Sequence, residues 1–131
     1  MSMIEAQVES VVDELDAADI PDPVGWRILV EPVRVKEQTA GGIILSEQTK
    51  KNEAYLRYIG RVIAMGPLCY RHPKFEGSEP WCKVGDWVVF AYHTGQPIMV
   101  QTPKATVELK LVNDDEIRAV LHNPMSVLTY V

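Results

Sequence analysis

Cysteine is scarce in this chain: Cys69 and Cys82 are the two in 131 residues. That excludes a disulfide framework and fits a reducing compartment, so a cytoplasmic protein is expected. No apolar run nears the roughly 20 residues needed to cross a bilayer. The first residues carry neither a basic stretch nor an apolar one, the two parts of a secretory signal. Basic residues are outnumbered, 13 against 18 acidic for a net charge of −5, which argues against a nucleic-acid binder. Motifs of chemistry are missing as well: there is no G-x-G-x-x-G, P-loop, G-x-S-x-G, H-E-x-x-H or C-x-x-C. No enzyme and no cofactor is therefore expected.

What is present falls into three parts. Residues 1–22 hold seven acids (Glu5, Glu9, Asp13, Glu14, Asp16, Asp19, Asp22) and no base. Ile4, Val8, Val11, Val12 and Leu15 recur at helical spacing, and Ser2 with Glu5 makes a capping-box pattern. An acidic amphipathic helix is expected, ended by Asp19-Ile20-Pro21-Asp22-Pro23. It is expected to dock on its own domain or fray in solvent, the alternative being to pack against a neighbouring subunit. From residue 23 to 123 the pattern is β-rich. Short runs at 26–33, 55–65, 86–92, 98–100, 107–112 and 117–121 are separated by Gly, Pro, Asn and Asp turn signals. Gly60 inside the second run suggests a bulge. Strands of this length and spacing give a mainly β fold, a small barrel or a sandwich. Asn113-Asp114-Asp115-Glu116 is placed to make one helical turn before the last strand. Residues 124–131 form a tail in which Val127 to Val131 could add an edge strand.

Two segments break the strand rhythm, about 35–52 and about 66–83, and long connections in a small domain tend to carry function. The first holds Gly41-Gly42 followed by Ile43-Ile44-Leu45 between polar flanks. From the residues alone two readings stand. One is a hairpin whose Gly-Gly turn feeds the triplet into the core. The other is a loop that offers an apolar anchor to a partner and orders on binding.

Four motifs in order now bear on that choice. They are Pro23-Val24-Gly25-Trp26-Arg27-Ile28-Leu29-Val30, Ala40-Gly41-Gly42-Ile43-Ile44-Leu45, Gly60-Arg61-Val62-Ile63-Ala64-Met65-Gly66 and Val84-Gly85-Asp86-Trp87-Val88-Val89-Phe90. With the acidic turn and last strand, Asn113 to Leu121, they resemble the GroES-type co-chaperonin family, the lid of the cylindrical chaperonin. The resemblance implies a small GroES-like β-barrel with a long mobile loop, here preceded by a helical extension. It implies that Gly41, Gly42, Ile43, Ile44 and Leu45 contact a GroEL-type chaperonin in its nucleotide-bound state, through a loop disordered when free. It implies a homo-oligomeric ring, a heptamer in the family, that encloses an unfolded client protein without chemistry of its own.

The chain departs from the family in its acidic N-terminal segment, in its tail, and in residues 66–83. That last segment stands where the family has a roof hairpin, but it is longer, more aromatic and lacks an Asn-Gly turn. Tyr70, Phe75 and Trp81 are expected to present an exposed or chamber-facing surface there. Such departures resemble the divergent co-chaperonins encoded by bacteriophages, for which the compartment would be the host cytoplasm. A β-barrel structural or decoration protein is the competing reading. A third, the similar barrel of medium-chain alcohol dehydrogenases, needs a nucleotide-binding half that 131 residues do not accommodate.

The remaining clusters are weaker. Cys69, His72, Cys82 and His93 are zinc-ligand types, but only Cys69 and His72 have chelating spacing. Two unlinked thiols and two solvated imidazoles are expected, and no metal. His122 and Lys50-Lys51 read as solvent-exposed. Trp87, Phe90, Tyr92 and Tyr58 lie on expected strands, where aromatics belong mostly to the core.

Overall fold

The structure is a computed structural model and describes residues 7–9, 12–36, 58–91 and 94–123. The expectations for Gly41 to Leu45, for Lys50-Lys51, for Tyr92 and His93 and for the 124–131 tail lie outside the described residues.

The fold is mainly β, as the turn spacing predicts. In chain order the strands are β1 (Gln7–Glu9), β2 (Arg27–Pro32), β3 (Arg34–Lys36), β4 (Ile59–Met65), β5 (Trp87–Phe90), β6 (Gln96–Gln101), β7 (Thr106–Asn113) and β8 (Ile117–Leu121). Four 3₁₀ turns interleave with them: η1 (Val12–Glu14), η2 (Ala17–Asp19), η3 (Pro73–Phe75) and η4 (Asp114–Glu116). Six strands form one antiparallel sheet in the order β6-β7-β2-β4-β5-β8, while β1 and β3 pair as a separate ribbon.

The connectivity makes this sheet a barrel. Strand β7 is second in the order and β8 is last, yet only η4 joins them. Three residues reach about 10 Å. In a flat sheet the same two strands would stand four spacings apart, about 19 Å. The sheet therefore curls until its far edge returns toward β7. Packing agrees. Phe90 of β5 and Val112 of β7 share one buried cluster with Ile28, Val30, Val62 and Ile117, and the Lys110 ammonium lies 5.6 Å from the centre of the Phe90 ring.

Strand β2 is the axis of the packing, with Ile28, Leu29, Val30 and Glu31 all buried. Ile28 and Val30 face the barrel interior. Leu29 faces the other way, into a second cluster with Val107 and Leu109. That second face is covered by the N-terminal segment, whose Val12 and Leu15 are buried against it. Each such side chain contributes about 1.5–3 kcal/mol through burial.

The long amphipathic helix expected over the first 22 residues is not what the described part of that segment forms. Residues 7–9 are a strand and residues 12–14 and 17–19 are single 3₁₀ turns. The periodicity was real but short. In a 3₁₀ turn residues three apart lie above one another, so Val12 and Leu15 reach the same face without an α-helix. Upstream, β-branched valines resist helical rotamers, and β3 offers a ladder that settles the competition for residues 7–9.

Gly60 is not at a bulge. It is paired on both sides, with Pro32 and with Val88. The irregularity lies three residues on, where the β2–β4 register jumps from Leu29–Ala64 to Val30–Val62 and leaves Ile63 as the extra residue. Gly60 is required by close approach: a Cβ there would stand 2.8 Å from the Glu31 carbonyl oxygen and 3.2 Å from the Phe90 ring. At Gly66 a Cβ would overlap the Gly25 carbonyl oxygen. Both contacts are with backbone, which cannot rotate aside. Gly60→Ala and Gly66→Ala are each expected to lower stability by about 1–3 kcal/mol, read as a shift in the urea midpoint at unchanged slope. An unmoved midpoint would show that neighbouring backbone yields freely.

Candidate functional site

Two connections flank the β2–β4 pair, and the register places them at opposite ends. Pro32 stands across from Gly60, and Ile28 from Met65. Residues 37–57, which hold the Gly-Gly and Ile-Ile-Leu motif, span the Pro32–Gly60 end. Residues 66–86 leave the other. The structure describes only the roots of the first connection. On one side β2 passes through Val33 into β3; on the other the chain returns through Tyr58. The Val33 N–H donates to the Ile59 carbonyl (2.8 Å) and the Phe90 N–H to the Tyr58 carbonyl (2.9 Å). Ile59 is fully buried, with Val33, Tyr58, Val89 and Leu121 packed around it. Both roots are thus fixed to the sheet.

The second connection contains no strand, so no hairpin projects from it. It folds back instead and joins the core. Tyr70, Phe75 and Trp81 meet, with ring centres 5.1 Å apart for Tyr70 and Phe75, 5.5 Å for Tyr70 and Trp81, and 5.0 Å for Phe75 and Trp81. The three residues singled out from sequence are therefore brought together. Their expected exposure is corrected for two of them. Tyr70 and Phe75 are buried, and only Trp81, at 43%, offers a surface.

The lock is Asp114, a buried carboxylate in η4. Tyr70 adopts φ +63°, an uncommon conformation for a side-chain-bearing residue. This turns its N–H toward Asp114 Oδ2 (2.9 Å) and its phenol toward the Asp114 carbonyl, to which it donates (2.9 Å). Outside the core, Lys74 Nζ lies 2.8 Å from Asp115 Oδ2, which holds the Asp115 carboxyl below its usual range. The turn carrying β7 into β8 is also the clamp for the 66–86 segment. The sequence reading took Asp114-Asp115-Glu116 as a turn start, which it is, but nothing in the pattern marked the first acid as the buried one.

Glu31 is the other residue the sequence reading missed. Its buried carboxylate accepts the Val12 N–H at Oε2 (3.1 Å), with Arg61 Nη2 at 4.0 Å from Oε1. The available signal was a lone acid inside an apolar run, with an arginine inside the next run.

Among the described residues no group of three or more His, Cys, Asp or Glu could hold a metal ion. The His72 Nδ1 accepts the Lys74 N–H (3.1 Å) at the start of η3. Both thiols are free. Cys69 donates toward the Arg27 carbonyl (3.2 Å), and the Cys82 sulfur lies 3.5 Å from the Tyr70 hydroxyl. Burial pushes Cys69 up to about 11 and raises Cys82 and Tyr70 as well. The thiolate is the reactive form, so at pH 8 Cys69 should alkylate about a hundredfold more slowly than a thiol at the ordinary 9.0. Rates measured from pH 7 to 11 should still be rising at the upper end; a plateau by pH 9 would refute the half-buried placement of Cys69.

Comparison with known proteins matches the barrel and not the segment ahead of it. The family "Chaperonin 10 Kd subunit" matches residues 21–121. A protein named Co-chaperonin GroES from Fusobacterium nucleatum subsp. polymorphum is 34% identical over 103 residues, covering 76% of this chain and 94% of the relative. Another of that name, from Fusobacterium nucleatum subsp. nucleatum, is 31% identical over 99 residues with the same coverage. The match spans β2 to β8 and both connections, and on it the chain belongs to the chaperonin 10 Kd subunit family, the GroES-type co-chaperonins.

Proposed function

We propose that the protein is a ring-shaped lid that caps a GroEL-type chaperonin in its nucleotide-bound state and encloses an unfolded client. The observation that supports this most is the placement of the two long connections at opposite ends of β2 and β4. A lid needs one end for the cylinder and another for the roof. Residues 37–57, with Gly41, Gly42, Ile43, Ile44 and Leu45 as the chaperonin contact, serve the cylinder end. Residues 66–86 serve the roof end, as a packed pad and not as a hairpin.

The energetics suit a reversible cap. Three aliphatic side chains per subunit make a weak contact. A ring, proposed here as a heptamer, holds its copies at a high effective concentration, so weak contacts sum to firm capping. Weakening each contact slightly, as the ATP cycle would, releases the whole lid. No catalytic step is assigned to the chain. The compartment proposed is the cytoplasm, where a chaperonin of this type meets its clients. Among the described residues no helix is long and apolar enough to cross a membrane.

The test is co-elution of the full chain with a bacterial chaperonin on a sizing column, with and without ATP or ADP. Nucleotide-dependent co-elution is expected for the wild type. Ile44→Asp is expected to abolish it while the ring, weighed by native mass spectrometry at about seven protomers, persists. A folded wild-type protein that binds none of several chaperonins would overturn the proposal, and so would loss of the ring in Ile44→Asp.

A further inference from the structure

Residues 7–9 and 12–20 lie ahead of the family span, yet they are attached to the barrel at several points. Val12 and Leu15 are buried against Leu29, Val107 and Leu109. The Val12 N–H donates to the buried Glu31 carboxylate. Arg61 Nη2 lies 3.0 Å from Asp13 Oδ1, and Lys104 Nζ lies 2.9 Å from Asp16 Oδ1. The exposed pairs orient more than they hold. The apolar seat and the buried hydrogen bond do the holding.

Three residues before this seat the chain forms β1, and β1 pairs with β3. The partners are Gln7 with Lys36, Val8 with Val35 and Glu9 with Arg34. Strand β3 is the last element before residues 37–57. It has no place in the six-stranded sheet, and β1 is its ladder partner. A two-stranded ribbon is marginal alone. Here both strands are tethered within a few residues, β3 through Val33 to β4 and β1 through Val12 to Glu31.

We infer that β1 is a splint for the entry arm of the 37–57 connection, making Gln7–Glu9 and the Val12 seat positioning elements for the chaperonin contact at Ile43-Ile44-Leu45. This rests on the lid reading above. The physical reason is preorganisation. An arm already paired as a strand does not have to be ordered when the loop binds, and affinity lost to ordering is retained. Repetition around a ring multiplies the gain.

The test uses the full chain carrying Val8→Pro and Glu9→Pro together. In an antiparallel pair, alternate residues exchange hydrogen bonds. One of these two positions therefore donates to β3, and proline removes that donor. Three readouts are taken: amide hydrogen exchange at Arg34–Lys36 in the free protein, nucleotide-dependent affinity for a bacterial chaperonin, and ring mass with melting temperature. Expected are faster exchange at residues 34–36, about tenfold or weaker binding, and an unchanged ring and melting temperature.

A second variant keeps the test open if the prolines disturb folding. Val8→Cys with Val35→Cys places thiols on directly opposed residues, within disulfide reach. Oxidised, it should bind at least as tightly as wild type; the same protein with its β1–β3 link reduced serves as its control. Wild-type affinity in the proline variant despite faster exchange overturns the inference, and so does unchanged exchange. A wild-type chain that binds no chaperonin overturns the lid reading, and the inference with it.

Discussion

Three residues carry the chain from β7 to β8, from the second strand of the sheet to its far edge. That shortness rules out an open sheet, and most of the architecture follows. It curls the strands, brings Phe90 over against Val112, and seals Ile28, Val30 and Val62 inside. It also places η4 at the end where β4 leaves the sheet. Asp114 sits in that turn with its N–H donated to the Trp26 carbonyl (2.9 Å). Its carboxylate and carbonyl are then left to receive Tyr70. One turn therefore closes the barrel and fixes the 66–86 segment. The charged group at its centre is tolerable because it is hydrogen-bonded where it is buried.

The other organising feature is that β2 is buried on both faces. A strand in a small barrel ordinarily has one face for the interior and one for water. Here Leu29 and Glu31 point outward and are covered by the segment from Val12 to Ile20. The N-terminal segment is thus a second layer of the core. It also brings its own acids to the barrel's cations, Asp13 to Arg61 and Asp16 to Lys104. The sequence shows this only as an uneven charge distribution.

Much of the fold was legible because strands announce themselves locally. The runs around Ile28, Val62, Val88, Met99, Leu109 and Val120 are apolar or β-branched and end at turn residues, so the mainly β class and six of the strands could be read directly. Tertiary choices were not legible. Nothing in Gln7-Val8-Glu9 says strand until Arg34–Lys36 is available to pair with it, and its neighbours' spacing mimics a helix. Tyr70 and Phe75 read as surface because they lie in a polar, Gly- and Pro-rich stretch, whereas their burial depends on Asp114, more than thirty residues away. Gly60 was flagged, but its reason, backbone crowding against Glu31 and Phe90, is a property of three strands together. As for the proposed contact, the Ile43–Leu45 triplet stood out in the sequence, but only the family resemblance pointed it to a chaperonin. The residues themselves left both a hairpin and a partner contact open, with the hairpin ahead.

The pairing of Arg27 with Asn113 joins positions 86 residues apart. For a chain emerging from the ribosome in order, β2 is complete long before β7 exists, and its apolar residues must wait. The interior face, Ile28 and Val30, can first be met by β4. The outer face, Leu29, packs against Val107 and Leu109 and is paired with Leu111, all of β7 and made about eighty residues later. Val12 and Leu15 are synthesised before Leu29. The N-terminal segment is thus on hand as a cover for that face before β7 exists, giving the nascent chain a built-in guard against sticking to its neighbours.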